Sequence, residues 1–127
     1  MMETLTHWQI DVQRGPDWLF VRLLPPEQGG LAIDAEGLAE MVWEVVQQHF
    51  CYRVVLELDR VNLLYSSLLG QLILISKRIY SHQGILRMSG MSQNNLDVLR
   101  TCRLEAALPS YLNRGDAVMG HNPQKPR

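Results

Sequence analysis

One domain is the natural expectation for the chain's 127 residues, which can bury a working core without disulfide staples. Twelve Lys and Arg stand against 13 Asp and Glu, and no basic stripe is visible, which argues against nucleic acid as a main partner. The longest apolar stretches fall short of the ~20 residues that a bilayer span needs. Residues 1–7 lack the basic and apolar regions of a signal peptide, so a cytoplasmic soluble protein without membrane insertion is expected. Cys51 and Cys102 suit reduced structural thiols, although sequence alone leaves their pairing open.

Trp8, Ile10 and Val12 alternate with polar neighbours and predict a first strand over 6–13. Arg14-Gly15-Pro16-Asp17 is a turn signal, and 18–24 supplies a second strand that should pair antiparallel with the first. Pro25-Pro26-Glu27-Gln28-Gly29-Gly30 predicts a loop. Asp34 is placed to cap the next element, where Leu38, Met41, Val42, Val45, Val46 and His49 recur at helical spacing. The run 52–58 has the apolar, β-branched composition of a central strand covered on both faces.

After a short connection the period changes, and two adjacent serines, Ser66 and Ser67, open an apolar helix. That helix is expected to run to about Gln83, with Gly84 as its left-handed cap. Residues 85–88 form a short strand, and Ser92 caps a third helix carrying Leu96, Leu99 and Cys102. A last strand or extended segment over 104–112 has Pro109 at an edge or end, and 113–118 form a short final helix. Residues 121–127 have no means of packing and are expected to be a disordered tail. A hairpin followed by βα repeats is an α/β fold, here a single domain over 1–120 with helices packed on a mixed central sheet.

A serine at a helix start faces unpaired backbone N–H groups and the positive end of the helix dipole. The simplest role for Ser66 or Ser67 is an N-cap. The same place also favours a phosphate, which adds ~−1.5 to −2 charges and strong acceptor oxygens. A partner packed over Leu68 and Leu69 would then have to bury an anion, so one hydroxyl could switch binding without moving the fold. Leu68, Leu69, Leu72, Ile73, Leu74, Ile75 and Ile79 cover more angle than one core-facing stripe needs. One or two of them, Leu68 foremost, are expected to be exposed in a partner surface, with complete burial as the alternative.

Enzymatic chemistry finds little support. His49 and Cys51 lie two apart with no second ligand pair at metal-site spacing. Ser66 lacks a glycine-flanked nucleophile elbow, and no Gly-rich phosphate loop exists. Glu57 and Asp59 share a strand face and form a conceivable carboxylate pair, more simply read as polar strand-end groups. No catalytic residue, metal or cofactor is assigned.

An apolar strand leading into Tyr65-Ser66-Ser67-Leu68-Leu69-Gly70 is similar to the family pattern Asp-Ser-Ser/Thr-Gly, an apolar residue, then Gly or Ala, of the STAS domains. Gly84-Ile85-Leu86-Arg87-Met88, Leu99-Arg100-Thr101-Cys102-Arg103-Leu104, Ala107-Leu108-Pro109 and Asp116-Ala117-Val118 resemble that family's later segments in order and spacing. The resemblance covers 6–118. It extends to sulphate-transporter cytoplasmic domains and to bacterial anti-sigma-factor antagonists. It implies a STAS-like fold, binding to a serine kinase that is also an anti-sigma factor, release of a sigma factor, and phosphorylation of Ser66. Ser66, Ser67, Leu68, Leu69 and Gly70 would then form the partner-binding segment. Tyr65 replaces the family's acidic residue and Leu68 its glycine, changing charge and shape at the site. The rival readings are a phosphorylation-independent STAS scaffold or transport-complex subunit and, from another class, a small enzyme.

Overall fold

A computed structural model describes residues 7–26 and 34–120. The expected tail over 121–127 and the 27–30 part of the expected loop lie outside the described residues. Strands β1 (Gln9–Arg14) and β2 (Leu19–Leu24) form the antiparallel hairpin, with Gln9 opposite Leu24 and Arg14 opposite Leu19. The turn between them closes with Gly15 N–H donating to the Trp18 carbonyl at 2.8 Å. Strands β3 (Arg53–Glu57), β4 (Ile85–Ser89) and β5 (Ser110–Tyr111) continue parallel to β2, so the sheet order is β1-β2-β3-β4-β5. Helices α1 (Leu38–His49), α2 (Ser66–Ser81) and α3 (Gln93–Thr101) make the crossovers, and α4 (Arg114–Met119) follows β5.

The pleat sorts the side chains into two cores. Leu19, Val21, Leu23, Val54, Leu56, Leu86 and Met88 pack with Leu38, Val42 and Val46 of α1 and with Leu72, Ile75 and Ile79 of α2. The opposite face of β3 contributes Val55, which packs with Trp18 and with Ala117 of α4. Alternate residues of β3 are thus buried on both sides, as its apolar run predicts.

Several ends differ from expectation, each for a tertiary reason. The cap of α1 is Gly37 at φ 88°, and the Asp34 carboxylate instead accepts from Glu36 N–H at 2.9 Å, forming a turn ahead of the helix. At the end of α2 the left-handed residue is Gln83 at φ 60°, one position before Gly84. Gly84 is required by close approach, because a Cβ there would sit 2.2 Å from the Tyr52 carbonyl oxygen. β5 pairs over only two residues; much of the expected 104–112 strand is turn, with the Pro109 carbonyl accepting from Met88 N–H at 2.8 Å. Ser92 caps α3 as expected, its hydroxyl accepting from Asn95 N–H at 3.2 Å, and Asn113 caps α4 in the same way at 2.9 Å. Cys51 and Cys102 are both free thiols.

Candidate functional site

The loop over 58–65 carries the chain from the top of β3 to α2, and it is fastened at several points. Leu58 N–H donates to the Ser89 carbonyl at 2.9 Å. The fully buried amide of Asn95 accepts from Leu64 N–H and donates to the Val61 carbonyl, both at 3.1 Å. Gly90, at φ 78°, leaves room for Asp59, whose Cβ lies 3.1 Å from where a side chain would begin. These contacts fix where α2 starts, at the edge formed by the C-terminal ends of the parallel strands.

Neither serine is the N-cap of α2. Tyr65 takes that place with extended backbone, leaving Ser66 and Ser67 as the first two helical residues. The first intrahelical bond runs from Leu69 N–H to the Tyr65 carbonyl at 2.9 Å. The amides of Ser66, Ser67 and Leu68 precede that bond, no cap side chain accepts from them, and the first turn holds no acidic residue. Within α2 itself, then, no carboxylate meets the positive end of the dipole; the acidic group beside it comes from Asp34, which reaches the helix start through Ser67.

The two hydroxyls differ. Ser67 Oγ donates to Asp34 Oδ1 at 3.0 Å and accepts from Ala35 N–H at 2.9 Å. One turn on, Gln71 Oε1 accepts from Ala39 N–H at 2.9 Å, and the Arg78 guanidinium pairs with Glu40, so α1 and α2 are laced together along their length. Ser66 is exposed and its hydroxyl makes no hydrogen bond among the described residues. Tyr65 turns its phenol inward, where the oxygen is buried beside the Trp8 indole without a hydrogen bond of normal geometry. Burial holds that phenol above its ordinary pKa, the nearby Asp34 adds to the rise, and the indole N–H opposes it.

Leu68 is not an exposed anchor. It is 0% exposed, because it shares the sheet-facing stripe of α2 with Leu72, Ile75 and Ile79. The bulk that replaces the family's glycine is spent on the core and does not shape the surface. Leu69 is half-buried against the same core, while Gly70 is exposed. The exposed apolar side chains of this region are Leu63, 60% exposed in the loop, and Leu74, 48% exposed two turns below Ser66.

Glu57 at the end of β3 and Asp59 in the loop after it belong to an ion-pair network. The buried Glu57 carboxylate accepts two hydrogen bonds from Arg114, at 2.8 and 2.6 Å, with Arg22 at 3.6 Å. Asp59 accepts from Arg22 at 3.0 Å. Hydrogen bonding to Glu57 foremost holds the Arg114 guanidinium above its ordinary range, and bonding to Asp59 does the same for Arg22. No cluster of three or more metal-ligating side chains occurs among the described residues, and no described helix is long and apolar enough to cross a membrane. Asn95, Asp34 and Gly90 were not singled out from sequence as positioning the site. Asp34 reads from sequence only as a helix cap, and Asn95 left a signal as a polar residue in phase with Leu99 on the buried side of α3.

No protein-family model and no curated protein matches the chain. Solved structures do match. RsbS from Moorella thermoacetica, carrying a serine-to-glutamate substitution, aligns at TM-score 0.70 and 12% identity over 88% of this chain and 93% of that one. An anti-sigma factor antagonist from Mycobacterium paratuberculosis aligns at 0.69 and 16% identity over 94% and 97%. The Bacillus cell fate determinant SpoIIAA, in its phosphorylated form, aligns at 0.61 and 14% identity over 88% and 98%. The mixed five-stranded sheet, its packed helices and these nearly full-length alignments give the chain the STAS fold, the fold of anti-sigma-factor antagonists.

Proposed function

We propose that this chain is a regulatory protein-binding module of the anti-sigma-factor-antagonist type. It binds a serine kinase that is also an anti-sigma factor, thereby releasing a sigma factor, and it is switched by phosphorylation of Ser66. The observation that carries this reading is the division of labour between the serines. Ser67 is engaged with Asp34 and Ala35, whereas Ser66 offers an exposed hydroxyl that makes no hydrogen bond among the described residues, at a helix start with no acidic residue in its own first turn. Transfer of the ATP γ-phosphoryl group to Ser66 Oγ, with loss of the hydroxyl proton and release of ADP, would place the dianion where helix amides can receive it. The same charge would obstruct a partner whose surface must lose water to bind. One structural neighbour was solved in a phosphorylated form, which supports the same reading.

The test is labelled ATP with the serine kinase of the same genome that binds the chain. Ser66→Ala abolishes incorporation and keeps the complex, while Ser66→Asp weakens the complex, in part because a carboxylate carries less charge than a phosphate. Labelling that persists in Ser66→Ala overturns Ser66 as the site. A stable complex with no labelling of the unsubstituted chain favours the phosphorylation-independent scaffold. The replacement of an acidic residue by the inward-turned Tyr65 speaks for that second reading, since it removes a charge from the edge of the site.

A further inference from the structure

The exposed row of α2 runs through Ser66, Gly70, Leu74, Lys77 and Ser81, spaced by four, four, three and four residues. Glycine is a poor choice for the second position of that row. In a helix interior it costs more backbone entropy than any other ordinary residue and contributes no side-chain packing. The other described glycines have a positive φ or a neighbouring atom within reach of a Cβ, whereas Gly70 has neither. Nothing lies within 4 Å of where its Cβ would stand, so the domain itself places no demand for glycine there. Around it, the first two turns of the row carry no charge: Ser66, the half-buried Leu69 and Ile73, and Leu74, which is 48% exposed. Lys77 and Arg78 begin only in the turns below.

Building on the proposed partner binding, we infer that Gly70 is the point of closest approach in that complex. An uncharged backbone segment of the kinase/anti-sigma partner packs directly on α2 between Ser66 and Leu74. The missing Cβ lets main chain meet main chain, and Leu69, Ile73 and Leu74 supply apolar contact on either side. A neutral segment is required because the first two turns of the row offer no counter-charge to a side chain desolvated against them. Ser66 sits one turn above this point, at the edge of the contact, so a phosphate added there enters the same water-excluded patch.

The test compares Gly70→Ala, Gly70→Leu and Glu44→Leu, the last placing the same leucine at an exposed position of α1. Affinity for the serine kinase/anti-sigma factor that binds the unsubstituted chain is measured by titration calorimetry, beside urea unfolding of each variant. Both Gly70 variants raise the unfolding midpoint, because each removes a helix glycine with open space around it. Gly70→Leu weakens binding by about tenfold or more and Gly70→Ala by less, while Glu44→Leu leaves it unchanged. A stabilised variant that has lost its partner has no explanation in misfolding. Unchanged affinity in Gly70→Leu overturns the close approach and leaves the partner reading standing. Failure of the unsubstituted chain to bind any such kinase overturns both. A change in the oligomeric state of the chain alone, with kinase affinity intact, makes the occupant a second copy and overturns this assignment.

Discussion

Ser66 and Ser67 are adjacent in sequence, yet their hydroxyls do different work. Ser67→Ala deletes the acceptor for Ala35 N–H and the donor to Asp34, and should cost about 1–2 kcal/mol of stability. Ser66→Ala removes an unengaged exposed hydroxyl and should stay within about 0.5 kcal/mol. Urea unfolding of the two variants separates them, and equal costs would contradict the division of labour. Leu68→Asp would place a charge in the core among Leu72, Ile75 and Ile79 and unfold the domain, so it reports packing rather than partner binding. Tyr65 makes a pH-dependent prediction. Its folded-state pKa lies above the unfolded value of 10.0, so stability is full below pH 10, where the phenol is protonated in both states. Above that pH the unfolded chain ionises first, and stability falls until the folded-state pKa is passed. Tyr65→Phe should abolish this part of the alkaline loss and leave neutral-pH stability almost unchanged, since among the described residues the buried hydroxyl makes no hydrogen bond of normal geometry. Unfolding midpoints measured from about pH 8 to about pH 11, on both sides of the ordinary phenol range, would show it.

Among the elements, α4 depends most plainly on side chains from elsewhere. Six residues are too few for a helix to persist alone. It is held by Arg114, which reaches Glu57 and Gln13 and lies 4.2 Å from the centre of the Phe20 ring. At its other end Arg87, flanked by Trp18 and Tyr111, donates to the Ala117 and Val118 carbonyls. Arg114→Met leaves the Glu57 carboxylate buried with only the longer Arg22 contact and should cost about 2–4 kcal/mol. Hydrogen exchange should rise in 114–120 and stay slow in α2, and uniform loss of protection would show that α4 is not a separable unit. The strands of the hairpin, β3, β4 and helices α1 to α3 were legible because burial on one side writes a period of two or 3.6 into the residues themselves. The ends were less so. Asp34 reads as a cap, but the hydroxyl it holds is 33 residues away; β5 reads longer than it is, because two residues suffice once Pro109 meets Met88.

At the scale of the whole molecule, the position of the serines at a helix start was legible, whereas the choice of the free one was not. That choice depends on α1 and α2 being laced in parallel by the Ser67, Gln71 and Arg78 contacts, which exist only once the sheet has brought the helices together. The exposure expected of Leu68 failed for the same kind of reason, since an apolar helix contains more candidates than a solvent-facing row can hold, and Leu74 took that place. Together these contacts make the proposed switch local. Ser66 is exposed, it takes no part in the lacing, and no cap side chain accepts from the helix amides beside it, Asp34 being held by Ser67. A phosphate there should therefore stabilise the isolated domain slightly, by about 0.3–1 kcal/mol at low ionic strength, while weakening the partner complex. The expected result is an unfolding midpoint that is equal or higher after phosphorylation, with the gain fading in high salt as the dipole interaction is screened. A domain that loosens on phosphorylation would mean that the signal travels through the lacing of α1 and α2, and that partner release follows from a change of fold rather than from charge placed on an unmoved surface.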